Sequence, residues 1–385
     1  MKRLIAILCA FAVLCTACSK TPTEPKESTE DTTVAESYLT EDNGMAPPDF
    51  DAYAMAESLS VEEKVGQLFL AGCPETNAVA DIATYHLGGY FLFARDFENE
   101  TPDSMVNKIN LYQSTASIPL LIAADEEGGT VCRVSSYPQY RDSRFPSPRA
   151  LYDQGGLDLI YETESEKCRL LQSVGVNVNA SPVCDICTDP NAFMYSRSLG
   201  QDPETTGTFV VQVCDIMQRN DIGSILKHFP GYGNNVDTHV GIAVDNRTLE
   251  ELESVDLVPF AMGIQAGADA IMVSHTIITA IDPENPASLS PAVIQYLRED
   301  MGFAGVIITD DLSMGAVSQR YGDGEAAVLA FLAGNDILCT WNYRTQYPAV
   351  LQAVRDGRIT EEQLNQSVAR ILQWKYDMGM LEGLY

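Results

Sequence analysis

Eight short apolar runs, separated by stretches with helical patterning, constrain this chain more than any other feature. They are Gln67 to Ala71, Gly89 to Ala94, Pro119 to Asp125, Val176 to Val183, Ser224 to Phe229, Ala270 to His275, Gly305 to Asp310 and Asp336 to Trp341. Within each run the apolar residues are continuous and do not alternate with polar ones, the pattern of strands covered on both faces in a helix-clad parallel sheet. Eight strand-then-helix units predict an α/β fold of the TIM-type (β/α)8 barrel class in a single domain, with irregular loops between the second and fourth runs. The barrel is assigned to residues 51–385, and its first clear helix start is the capping box Ser60-Val61-Glu62-Glu63.

Several runs finish on a polar or charged residue. Asp125 follows Leu-Leu-Ile-Ala-Ala, Lys227-His228 follow Ser-Ile-Leu, Ser274-His275 follow Ile-Met-Val, Asp310-Asp311 follow Val-Ile-Ile-Thr, and Trp341-Asn342 follow Ile-Leu-Cys-Thr. In a (β/α)8 barrel the C-terminal strand ends form the rim where active sites lie, so five such positions converge on one candidate site. Any one of them alone reads equally as a strand cap.

The amino terminus has its own logic. Lys2 and Arg3 precede an apolar run, Leu4 to Leu14, that is too short to span a bilayer, which needs about 20 residues; residues 1–17 read as a secretory signal. The segment Leu14-Cys15-Thr16-Ala17-Cys18 resembles a bacterial lipoprotein box, with Cys15 where that pattern usually has Leu, and the resemblance makes Cys18 the lipidated residue. Residues 18–50 are rich in Thr, Ser, Pro, Glu and Asp and are expected to be a disordered tether. The expected location is the outward face of a bacterial cell membrane, with the lipid anchor the only membrane contact.

With 24 basic against 54 acidic residues and a formal charge of −30, nucleic acid is excluded as an expected partner. Seven cysteines follow Cys18, an odd number that cannot all pair within the chain. Cys184-Asp185-Ile186-Cys187 has the spacing of half a zinc site, yet no second pair and no nearby His follow it, so buried thiols or an incidental bridge are expected, with no metal and no cofactor.

Two of the four His residues fall in one Gly- and Pro-rich segment after the fifth run, Lys227-His228-Phe229-Pro230-Gly231-Tyr232-Gly233-Asn234-Asn235-Val236-Asp237-Thr238-His239. In a tight turn, Asp237 can accept a hydrogen bond from the His239 imidazole, fixing its tautomer and raising its pKa, as suits a general acid/base. This segment resembles glycoside hydrolase family 3, in particular its β-N-acetylglucosaminidase branch. So do Tyr85-His86-Leu87-Gly88-Gly89, Asp125-Glu126-Glu127-Gly128-Gly129, Arg197-Ser198-Leu199-Gly200, Ser288-Leu289-Ser290-Pro291 and Ile308-Thr309-Asp310-Asp311-Leu312-Ser313-Met314, together covering about residues 60 to 375. Two positions depart from the branch: Tyr232 stands where relatives commonly have His, and Thr130 where they have a first Arg, the second being kept as Arg133.

The resemblance implies a carbohydrate substrate and assigns roles residue by residue. Asp310 is the nucleophile that forms a covalent glycosyl-enzyme, with Asp311 its rival. His239, assisted by Asp237, is the acid/base that retaining glycosidases normally draw from a second carboxylic acid. Other members of the family usually take that acid from a second domain; the sequence ends with the barrel, so an in-barrel dyad is expected. Asp125, Arg133, Arg197, Lys227 and His228 would bind the −1 sugar, the alternative for them being a rim ion-pair network. His275 and His86 are expected to be structural. Other outcomes are phosphorolysis, since a histidine acid carries no charge to repel phosphate, and a sugar-binding surface lipoprotein, which would lack the nucleophile or the dyad. A metal-dependent hydrolase would need His residues in ligand spacing at several strand ends.

Overall fold

The computed structural model describes residues 50–233 and 243–383. Cys18, Asp237 and His239 lie outside the described residues. All eight apolar runs form strands: β1 Phe69–Gly72, β2 Gly89–Leu92, β3 Leu121–Ala124, β4 Val178–Asn179, β5 Gly223–Phe229, β6 Ala270–Val273, β7 Val306–Thr309 and β8 Leu338–Thr340. Every residue in them is buried, because helices cover the outside and side chains fill the inside. The strands run parallel in the order β8-β1-β2-β3-β4-β5-β6-β7. A bridge between Ile308 and Ile337 joins the two edges of that sheet into a nearly closed barrel.

Ser60 opens its helix as its spacing predicts: its hydroxyl accepts from the Glu63 amide, and the Glu63 carboxylate accepts from the Ser60 amide at 2.9 Å. The structure adds an earlier helix, Ala52–Ser58, capped by Asp51 and packed on the last helix, Glu361–Asp377. Ala52, Met55, Ala56 and Leu59 make a short apolar stripe there, with only Ala56 fully buried. A small parallel ribbon, Val244–Asp245 with Ile277–Ile278, also has no counterpart in the sequence reading.

At the N-terminal end of the barrel, Lys375 of the last helix is fully buried. Its ammonium donates to Gln67 Oε1 at 2.7 Å and to the Gly88 carbonyl at 3.0 Å, just before β1 and β2. Burial pushes its pKa down to about 7.

Candidate active site

The C-terminal strand ends enclose a cavity of about 640 Å³. Of the residues expected there, Asp125, Arg133, Arg197, Lys227, His228 and Asp310 all line it. The structure thus brings together six of the eight residues assigned to chemistry or sugar binding. Asp237 and His239 are the other two.

The first arc of the rim, from β3 to β5, is a chain of paired charges. Asp125 Oδ1 meets the Lys227 ammonium at 2.6 Å, and its other oxygen meets Arg133 Nη2 at 2.6 Å. Burial would raise the Asp125 carboxyl, but Lys227 and Arg133 outweigh it and hold the group well below the usual carboxylate range. Lys227 also meets Glu127 Oε1 at 2.6 Å, and Glu127 takes Arg197 in a two-pronged pair at 2.7 and 2.9 Å. Against its own burial, Glu127 is held low by Arg197 and Lys227. Three cations and three carboxylates, counting Asp185, therefore stand in one connected set. Asp125, Arg133, Arg197 and Lys227 form an ion-pair network and also line the cavity.

A single strand could not present both Lys227 and His228 to one cavity, because successive side chains point to opposite faces. The pairing of β5 with β6 shifts between Lys227 and Phe229, a bulge that places both at the site. His228 is then oriented by Asp185: the carboxylate meets Nδ1 at 2.8 Å and accepts from the His228 amide at 3.2 Å. A carboxylate only accepts, so Nδ1 carries a hydrogen, leaving Nε2 to face Arg197 Nη2 at 3.4 Å.

Asp185 and Glu127 escaped the sequence reading. Glu127 lay in the quoted Asp-Glu-Glu-Gly-Gly motif without a role, and its neighbour Glu126 turns away to accept from the amides of Arg133 and Val134. The two glycines complete that turn: Gly128 has φ 107°, and a Cβ there would come within 2.2 Å of the Pro146 carbonyl. Asp185 sits inside Cys-Asp-Ile-Cys, where the cysteine spacing drew attention to a metal. Cys184 and Cys187 are buried thiols, as are the other five cysteines after Cys18. The readable signal was position, since Cys184-Asp185 follow the fourth apolar run as Asp125 follows the third.

Across the cavity, Asp310 ends β7 with its amide donating to the Val273 carbonyl at 2.9 Å. Its carboxylate accepts from the Asp311 amide at 2.8 Å. The Asp311 carboxylate is engaged by the Ser313 amide and hydroxyl, at 2.9 and 2.6 Å, and burial raises its pKa despite those bonds. His275 braces the same turn, with Nδ1 2.7 Å from Ser288 Oγ and Nε2 2.9 Å from the Asp311 carbonyl. His86 ends a helix at φ 52°, a turn position. Tyr232, one of the two departures, is buried edge-on to the His228 ring at 5.2 Å, and its amide donates to Asp185 at 2.7 Å. Thr130, the other, lines the cavity.

Residues 60–374 match the glycosyl hydrolase family 3 N terminal domain. The chain is 30% identical over 388 aligned positions to the beta-hexosaminidase LpqI of Mycobacterium tuberculosis, spanning 97% of each chain. It is 37% identical over 238 positions to a beta-hexosaminidase of Xylella fastidiosa, covering 60% of this chain and 69% of that one. Among solved structures, a family 3 beta-N-acetylglucosaminidase from a Paenibacillus species superposes with a TM-score of 0.79 at 32% identity, over 85% of this chain and 64% of that longer one. The LpqI structure superposes with a TM-score of 0.76 over 85% of this chain and 96% of its own. The chain belongs to glycoside hydrolase family 3, and its fold is that family's (β/α)8 domain.

Proposed function

We propose that this glycoside hydrolase is an exo-acting, retaining β-N-acetylhexosaminidase that releases terminal β-linked N-acetylglucosamine from oligosaccharides such as cell-wall muropeptides. The observation that carries this reading is the placing of Asp310 in one cavity with Asp125, Lys227 and His228. Hydroxyl-binding groups gathered at one place beside a carboxylate suit a single terminal sugar. The relatives named beta-hexosaminidase support the choice of sugar.

In this mechanism Asp310 attacks the anomeric carbon while the leaving oxygen takes a proton from His239. The aglycone departs as an alcohol, leaving a glycosyl ester on Asp310. His239, now a base and oriented by Asp237, removes a proton from water as that water displaces the carboxylate, so the product keeps the β configuration. The choice of Asp310 over Asp311 rests on geometry. The Asp311 carboxylate is taken up by the Ser313 amide and hydroxyl, at 2.9 and 2.6 Å. Asp125, Arg133, Arg197, Lys227 and His228 bind the −1 sugar, their partners already in place before substrate arrives. Export and anchoring through a lipid on Cys18 would give the site access to glycans outside the cell.

The test is product analysis of the purified protein with nitrophenyl N-acetyl-β-D-glucosaminide and the matching glucoside, with and without phosphate. Expected is β-N-acetylglucosamine as the first product, preferred over glucose and unaltered by phosphate. An α-configured first product would overturn the retaining mechanism, and a sugar phosphate would reassign the acceptor. His239→Ala should slow natural disaccharides far more than nitrophenyl substrates, whose leaving groups need no proton; an equal loss on both would remove the acid/base assignment.

A further inference from the structure

The cavity has a second arc of different chemistry. Between Asp310 on β7 and Asp125 on β3, the ends of β8, β1 and β2 contribute Trp341, Gly72, Phe91 and Phe93, none of them charged. Lys227 and His228 opposite are buried, whereas Trp341 and Phe93 are half-buried, as are Arg133 and Arg197.

These rings are held in place. A Cβ on Gly72 would lie 2.3 Å from the Trp341 ring, so only glycine at the end of β1 leaves room for the indole. Phe93 meets Trp341 at 4.9 Å between centroids, tilted by 55°. The Arg95 guanidinium lies 4.5 Å from the Trp341 ring and borders a separate cleft, not this cavity. Arg95 is tied down in turn by the Cys73 carbonyl at 2.8 Å. On the inner side the Arg133 guanidinium lies 4.9 Å from the Phe93 ring while pairing with Asp125. Phe93 and Trp341 thus form one aromatic wall of the cavity, beginning beside the Asp125–Arg133 pair.

We propose that Trp341 and Phe93 form a +1 subsite that takes the apolar face of a second pyranose ring, the one that leaves. The inference rests on the glycosidase reading above. A pyranose presents axial C–H groups on its faces and hydroxyls at its edge, so the face packs on an aromatic ring while the edge stays hydrated. Half-exposed rings fit that use, since a ring meant only for the core would be covered. A cavity of about 640 Å³ is also large for a single N-acetylhexosamine. The −1 hydroxyls go to the charged arc, and the aglycone ring leaves along the aromatic one.

The test compares N,N′-diacetylchitobiose, whose leaving group is a pyranose, with β-N-acetylglucosaminyl fluoride, whose leaving group has no ring. Trp341→Ala should lower the ratio of kcat/KM for the disaccharide to that for the fluoride by about tenfold, and Trp341→Phe should recover part of it. Phe93→Ala should lower the same ratio by a smaller factor, and it carries the test if Trp341→Ala fails to fold. An unchanged ratio in the folded variants overturns the +1 assignment while leaving the glycosidase reading intact. Failure of the parent protein to turn over either N-acetylglucosaminide would overturn the glycosidase reading and the subsite with it.

Discussion

Two fully buried lysines, one at each end of the barrel, are treated in opposite ways. Lys227 at the C-terminal rim lies 2.6 Å from Asp125 and 2.6 Å from Glu127, so two carboxylates face its side-chain nitrogen. Lys375 at the N-terminal end has only neutral acceptors, Gln67 Oε1 and the Gly88 carbonyl, and burial lowers its pKa to about 7. Burying an unpaired charge is costly enough that the group holds its proton far less tightly than an exposed lysine does. The difference separates work from support. A charge kept in place under an open cavity can act on a substrate, while an amine close to neutrality can only fill space and donate hydrogen bonds.

Removing each lysine is the sharpest way to break that comparison. Lys227→Met would leave Asp125 and Glu127 buried with one arginine each; the expected result is at least a 100-fold fall in kcat/KM and about 3 kcal/mol of lost stability, read by denaturant titration. A smaller effect follows from Asp185→Asn, which leaves one acceptor oxygen where His228 Nδ1, on Oδ2, and the Tyr232 amide, on Oδ1, use two. We expect a roughly tenfold fall in kcat/KM together with about 1 to 2 kcal/mol of lost stability. A loss of stability without loss of activity would mean that Asp185 serves the fold rather than the site.

Lys375→Met should leave activity nearly untouched and reveal itself through pH. With a folded pKa near 7 and an unfolded value near 10.4, the unfolded chain binds more protons between those limits. The penalty for burying this amine therefore falls as pH rises from 7, and parent stability minus variant stability should increase by about 2 kcal/mol from pH 7 to pH 9. The rim carboxylates answer in another window. Asp125 and Glu127 are held low, so their contribution is present above about pH 4 and is lost as pH falls below it. A flat difference for Lys375→Met across pH 7 to 9 would mean that burial does not lower the Lys375 pKa.

The barrel was legible because burial on both faces forces continuous apolar runs, and all eight runs became strands. The rim was legible wherever a charged residue closes such a run, as at Asp125, Lys227 and Asp310. Asp185 was hidden because Cys184 separates it from the end of its run at Val183 and the cysteine spacing suggested different chemistry. Glu127 was hidden because three acidic residues in a row do not say which one faces the cavity, which depends on a glycine turn at Gly128 and its φ of 107°. The bulge that brings Lys227 and His228 to one side has no sequence signal beyond the nearby Pro230 and Gly231. The aromatic arc needed three dimensions, since Gly72, Phe93 and Trp341 come from the first two strands and the last.

The account rests most heavily on Asp310 as the residue that bonds to the sugar. The most direct measurement is to trap the protein with a slow-reacting fluorinated N-acetylglucosamine analogue and locate the adduct by mass spectrometry of the digested chain. The account predicts one equivalent of label on Asp310, and none in Asp310→Ala. Label on Asp311, or complete turnover of a natural substrate with an inverted product and no adduct, would contradict it.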